Sequence, residues 1–110
     1  MRTWNLNEIE MPNGTRSPVV LDSEDSRAVL IGLDSGQELG EHQVRERAWV
    51  MVVDGAVEVL TGDETTNAPA GTLLEFDPSE RRTVRSATGA RLLILFAPWP
   101  GPGHYPEPRA

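Results

Sequence analysis

The stretch Gly36–Gly55, GQELGEHQVRERAWVMVVDG, decides the fold class. Its second half, Ala48–Val53 (AWVMVV), is an unbroken apolar run that leads into Asp54-Gly55, a dipeptide typical of tight hairpin turns. Ala56–Leu60 (AVEVL) follows with apolar and polar residues mixed. The local reading is two strands joined as a hairpin at Asp54-Gly55. Further out, the same texture repeats. Arg27–Leu33 (RAVLIGL) ends at Asp34-Ser35-Gly36, and Thr61-Gly62-Asp63 makes a turn. Thr72–Phe76 follows Ala70-Gly71, Arg82–Ser86 follows a turn at Pro78-Ser79, and Arg91–Phe96 (RLLILF) closes the series. No segment keeps a 3.6-residue apolar period, so helices are not expected. Short strands punctuated by Gly and Pro predict an all-β sandwich or barrel, and the double-sheet jelly roll satisfies the pattern.

The chain has 110 residues, which suits one domain large enough to bury a core. Three regions differ in composition. Residues 1–26 are polar apart from the short run Val19-Val20-Leu21, residues 27–97 carry the barrel strands, and residues 98–110 hold five of the nine prolines and read as an extended tail. There is no cysteine, which excludes disulfides, zinc–thiolate sites and thiol nucleophiles. All ten basic residues are arginine, so lysine Schiff-base chemistry is excluded as well. A net charge of -7 argues against a nucleic-acid partner. No apolar run has the length of a membrane span or a leader, and a cytoplasmic protein with no membrane partner is expected.

Two strands are apolar on both faces, AWVMVV and RLLILF. If Ala48, Val50 and Val52 face the interior, then Trp49, Met51 and Val53 form an outward row that needs cover. The N-terminal segment, the tail with Trp99 and Tyr105, or a second subunit could supply it.

The spacing of the opening stretch resembles the first motif of the cupin family: glycine, five residues, His-x-His, three residues, Glu, six residues, glycine. Gly36, His42 and Gly55 fall on register, while Val44 and Ala48 stand at the second histidine and the glutamate. The segment Gly71–Ser86, GTLLEFDPSERRTVRS, resembles the second motif, glycine, five residues, Pro-x-Gly-x-x-His. Gly71 matches, and Asp77, Ser79 and Arg82 replace the proline, glycine and histidine. The resemblance covers roughly residues 28–97 and implies a double-stranded β-helix, that is, a jelly-roll barrel of the cupin type. It also implies a homodimer packed sheet against sheet, with the N-terminal strand of residues 1–26 exchanged between subunits in some arrangements.

In that family the four motif positions hold a metal. Transferred here they read His42, Val44, Ala48 and Arg82, of which only the imidazole is a ligand; a guanidinium repels a divalent ion. No metal and no other cofactor is therefore expected. Glu41, Glu46 and His104 are the residues near enough in sequence or topology to complete a non-standard site around His42. What remains is a candidate ligand pocket of His42, Val44, Ala48, Val50, Arg82 and Val84, apolar with two convergent polar groups. Arg82 suits a carboxylate or phosphate, and His42 can bind or shuttle a proton. An internal salt bridge from Arg82 to Glu46, Glu58 or Glu75 is the structural alternative. Three functional classes stay open. One is a metal-free binding module for a small, anionic organic ligand. The second is an enzyme, either metal-independent with His42 as base and Arg82 as clamp, or a metal-dependent oxygenase or isomerase with a non-standard site. The third is an interaction protein with a vestigial pocket. Arg81, Arg85 and Arg91 read as surface charge.

Overall fold

The computed structural model describes residues 1–11, 19–42 and 45–100, with the backbone alone described for residues 40–42. Among these residues eight antiparallel strands form one curled sheet: β1 (Val19–Ser23), β2 (Arg27–Leu33), β3 (Glu38–His42), β4 (Arg47–Thr61), β5 (Glu64–Pro69), β6 (Leu73–Phe76), β7 (Arg82–Arg85) and β8 (Ala90–Ala97). One layer runs β1-β2-β8-β4-β6 and the other β3-β7-β4-β5, so β4 belongs to both. The interior between the layers is apolar. It takes Val29, Ile31 and Leu33 from β2, Ala48, Val50, Val52, Val57 and Val59 from β4, and Leu92, Ile94 and Phe96 from β8, with Phe76 and Val84.

The hairpin expected at Asp54-Gly55 does not form. Strand β4 continues through it for 15 residues and changes layers there. The physical reason lies in side-chain phase. Inward residues are even-numbered before the dipeptide (Ala48, Val50, Val52) and odd-numbered after it (Val57, Val59). A strand can change phase only by inserting a residue, and the register against β8 slips between Val52 and Asp54, which is a β-bulge. Gly55 takes φ +76°, and a Cβ there would lie 2.1 Å from the Gly89 carbonyl oxygen. Asp-Gly thus supplies a left-handed residue, as the sequence suggested, but to bend a strand instead of ending it. The true hairpin is the next one, where Thr61-Gly62-Asp63 joins β4 to β5.

Ser86 ties the lower end of the barrel together. Its buried hydroxyl donates to the Ala56 carbonyl at 2.7 Å and accepts from the Gly89 amide at 2.9 Å. Its backbone amide donates to Gln37 O and its carbonyl accepts from Gly36 N, linking the loops before β3 and after β7.

Both ends of the described chain fold back on the barrel. Arg91, expected at the surface, donates from Nη1 to the Leu6 carbonyl at 2.6 Å and the Ile9 carbonyl at 2.8 Å. It thereby clamps residues 1–11 across the outer face, where Met11 packs over Gly32. At the other end Trp99 donates its amide to Asp25 O, tilts against Phe96 at 5.8 Å and carries the Arg27 guanidinium at 4.9 Å. The rest of the Pro-rich tail, residues 101–110 with His104 and Tyr105, lies outside the described residues.

The inward and outward phases of β4 are as expected: Ala48, Val50 and Val52 are buried, and Trp49, Met51 and Val53 are half-exposed. No helix among the described residues is long and apolar enough to cross a membrane.

A Gly55→Ala substitution combines a strained φ, roughly 1–3 kcal/mol, with a backbone clash that cannot relax locally. It should cost more stability in denaturant unfolding than Gly62→Ala, where φ is +59° but the added Cβ meets open space and about 1–2 kcal/mol is expected. Equal losses would show that the Gly55–Gly89 approach does not constrain the fold.

Candidate functional site

The candidate site forms where β7 begins, beside the upper half of β4. Asp77–Glu80 makes the turn before it: Glu80 donates its amide to Asp77 O at 3.1 Å, and the Asp77 amide donates to Glu80 Oε1 at 2.9 Å. Ser79, at the position of the motif glycine, keeps a glycine-like backbone with φ 65°. The turn therefore retains its shape although its sequence has changed, and it delivers Arg82 to the inward face of β7.

Arg82 is the largest fully buried side chain described, with 2% of its surface exposed. Its backbone pairs with His42 of β3. Its guanidinium stacks over the Phe76 ring at 4.7 Å. Of its five N–H donors, one reaches the Glu80 carbonyl from Nη1 at a long 3.4 Å, and Nε has no hydrogen-bond partner. Burial pushes the guanidinium's pKa below its ordinary value, and the Glu80 carboxylate partly opposes that shift. The group stays cationic at any ordinary pH.

Two of the three acids considered as partners for Arg82 are committed elsewhere. Glu58 pairs with Arg85 at 3.4 Å. Glu75 pairs with Arg47 at 3.4 Å and accepts from Trp49 Nε1 at 2.9 Å. Glu46, buried in the bend before β4, is itself engaged in a polar interaction.

The other predicted pocket residues are only partly brought together. Ala48, Val50 and Val84 are buried in the apolar core, with Ala48 opposite Phe76, Val50 opposite Leu74 and Ile94, and Val84 opposite Leu39 and Val59. Phe76, which sequence reasoning missed, sits between Ala48 and Arg82 and links the two. Its signal was available in principle: it is the last residue of an apolar-polar alternation ending at a turn. Val44 and His104 lie outside the described residues, as do the side chains of Glu41 and His42.

Arg82 also lines an open cavity of about 360 Å³ together with Leu60, Gly62, Arg81 and Thr83. Leu60 and Thr83 are cross-strand partners of β4 and β7, and Gly62 is the turn residue that leaves space above them. Arg81, taken from sequence as surface charge, is exposed at this cavity's rim. Neither Leu60 nor Thr83 could be placed here from sequence, because the β4–β7 pairing spans more than twenty residues of chain.

Metal binding can be judged from the donors. Ala48 and Arg82 occupy two of the four positions that hold metal in the motif, and a methyl group and a guanidinium do not ligate a divalent cation. Among the described residues no group of three or more His, Asp or Glu side chains is placed to hold a metal ion.

Two antiparallel layers sharing one bent strand, with loops gathered at the mouth, define a double-stranded β-helix. Comparison with solved structures agrees with that fold. An RmlC-like cupin from Desulfovibrio desulfuricans is 27% identical and superposes with a TM-score of 0.78 over 89% of this chain and 97% of that one. A Klebsiella pneumoniae protein with a double-stranded β-helix domain is 21% identical, with a TM-score of 0.78 over 89% and 90% of the two chains. A cupin superfamily protein from Desulfitobacterium hafniense shares the fold at 12% identity, with a TM-score of 0.76 over 84% and 85%. No family model and no curated protein matches the sequence. The chain has the fold of a small cupin, and its sequence keeps only part of the cupin metal-binding motifs.

A buried cation with an orphan donor burdens the fold unless a ligand uses it. Replacing Arg82 by Met, which keeps the apolar stem and removes the charge, should raise the melting temperature of the ligand-free protein. An increase of about 4–8 °C corresponds to roughly 1 kcal/mol at this size. A comparable fall in a thermal melt would make Arg82 a structural residue.

Proposed function

We propose that this cupin is a metal-free binding module for a small anionic organic ligand. The observation that carries the reading is the Arg82 guanidinium, buried beside an aromatic ring with its Nε–H unpartnered. In a low-dielectric site such a fork binds a carboxylate or phosphate in bidentate fashion, and the anion offsets the cost of desolvating the guanidinium. Phe76, on which the guanidinium stacks, and Leu60, which lines the recess, supply apolar surface for the organic part. The cytoplasm remains the expected location. The enzymatic alternative needs His42 to present its imidazole to the same ligand, and a pH-dependent activity lost in His42→Ala would mark it.

Titration calorimetry with a panel of small carboxylates and inorganic phosphate should give binding to the wild type. The Arg82→Met protein should bind at least tenfold more weakly, the loss expected for a charge-assisted hydrogen bond. Undiminished binding by Arg82→Met, or no binding by the wild type, would rule the reading out.

A second observation favours a homodimer. On the outer face of the β1-β2-β8-β4-β6 layer, cross-strand partners line up Leu30, Leu93, Met51 and Leu73 in one row, and Ala28, Leu95 and Trp49 in the next. Residues 1–11 cross this face near Gly32 and Arg91, while Leu73 is 62% exposed and Leu95 36%. Leu30 is already buried within the chain, and a second copy related by a two-fold axis would cover the exposed part of the face around Leu73 and Leu95. In sedimentation equilibrium the wild type should behave as a dimer and the Leu73→Glu/Leu95→Glu variant as a monomer. A monomeric wild type at high micromolar concentration would exclude it.

A further inference from the structure

Residues 1–11 lie across the outer face of the barrel as a strap that does not join its sheet. Most of the strap is exposed, and Leu6, Ile9 and Met11 are its half-buried apolar side chains. Its own bonds are local: the Glu8 amide donates to the Asn5 carbonyl and the Asn7 amide to Asn5 Oδ1. Arg91 Nη1 ties it to the barrel through the Leu6 and Ile9 carbonyls at 2.6 and 2.8 Å, and Met11 packs over Gly32. The exposed Arg2 adds an ion pair to Asp22 at 3.4 Å, of a kind that contributes little. A segment held by so few contacts opens locally while the core stays closed. The two bonds from Arg91 therefore govern how often the strap lifts.

Arg91 has a second partner in reach. In the sheet register it stands opposite Asp54, the residue at the bulge of β4. Opposed residues on neighbouring strands bring their side chains together, and opposite charges there attract. Yet the Asp54 carboxylate makes no hydrogen bond or ion pair among the described residues. Asp54 and Arg91 line one open recess of about 410 Å³, and Met11 of the strap and Gly32 line it too. Asp34, in the loop after β2, borders the same recess, but the β2 residue opposite Arg91 is Gly32. One guanidinium thus faces a pair of strap carbonyls and a carboxylate, and the structure shows it on the carbonyls.

We propose that Arg91 is a two-position latch. On the Leu6 and Ile9 carbonyls it holds the strap closed over Gly32, and on Asp54 it lets the strap lift. The lifted state frees Leu6, Ile9 and Met11 and uncovers the Gly32 end of the outer face that carries Leu73 and Leu95. The latch is independent of the anion site and of the dimer. Salt screens the ion pair of the lifted state more than the short hydrogen bonds of the closed one, so salt favours closure.

The experiment is limited cleavage by a glutamate-specific endoprotease, read by mass spectrometry at Glu8, which lies between the two clamped carbonyls. Each rate is taken relative to that of a free peptide with the sequence of the strap. Where opening and closing are fast, the rate follows the population of the lifted strap. Arg91→Ala should be cut about tenfold faster than the wild type, the effect of losing two hydrogen bonds less that of losing the pair. Asp54→Asn, at an exposed position, should be cut about two- to fivefold more slowly, because the competing partner is gone. Salt at about 0.5 M should slow the wild type and leave Asp54→Asn unchanged. Asp34→Asn should behave as the wild type. An unchanged rate in Arg91→Ala would show that Arg91 does not hold the strap. Faster cleavage in Arg91→Ala with no change in Asp54→Asn would make Arg91 a fixed clamp with one position. Slower cleavage in Asp34→Asn alone would put the second position on Asp34. Each of these three results overturns the latch as assigned.

Discussion

Strand β4 can serve two layers only because two backbones meet without side chains. At Gly55 the strand turns through a left-handed residue, and the space a Cβ would need is taken by the Gly89 carbonyl. The bulge shifts the inward phase by one residue, so the apolar positions of both halves point to the same interior. Ser86 then fastens the loops around that point through its hydroxyl and its backbone. With the lower end of the barrel fixed in this way, the upper half of β4 lies beside β7, and Leu60 and Thr83 become neighbours. The geometry of the candidate site therefore depends on a close approach at the middle of the same strand.

Against that rigid frame Arg82 stands out as an inconsistency of the kind that marks function. Every other large inward side chain described is apolar or, like Ser86, has its polar atoms matched. Arg82 is buried, weakly bonded at one nitrogen and unbonded at another. A core of this composition has ample choices of aliphatic residue for that volume. Local rules that agree everywhere and fail at one position are the usual sign that something other than stability fixes the residue. The cation–π contact with Phe76 explains how the guanidinium is oriented, but such a contact is worth only about 1–2 kcal/mol and does not replace the lost hydration.

Much of the fold was legible in the sequence, because β2, β6, β8 and both halves of β4 carry apolar runs or alternations near Gly and Pro, and β7 follows the turn residues Pro78-Ser79. The phase of Ala48, Val50 and Val52 was readable for the same reason. Strand β5, ETTNAP, was not, since it is an exposed edge with one buried residue and draws its stability from pairing with β4. The bulge was misread as a hairpin because Asp-Gly serves any left-handed backbone position. The parity change between Val52 and Val57 was the clue, and it is visible only when both halves are assumed to share one interior. Of the site, the inward placement of Arg82 was legible from its motif position. The stacking on Phe76 and the recess shared with Leu60, Arg81 and Thr83 were not. They depend on long-range pairing that local pattern does not encode.

The proposed anion site turns on one group, the Arg82 Nε–H as donor to a carboxylate or phosphate. The direct measurement is the arginine Nε–H resonance in a proton–nitrogen correlation spectrum of protein labelled on nitrogen, assigned by its absence in Arg82→Met and followed as small carboxylates and inorganic phosphate are added in turn. The account predicts a saturable downfield shift of that one resonance together with slower exchange with solvent. A resonance that neither shifts nor gains protection with any of these anions at saturating levels for an ordinary metabolite site would contradict it.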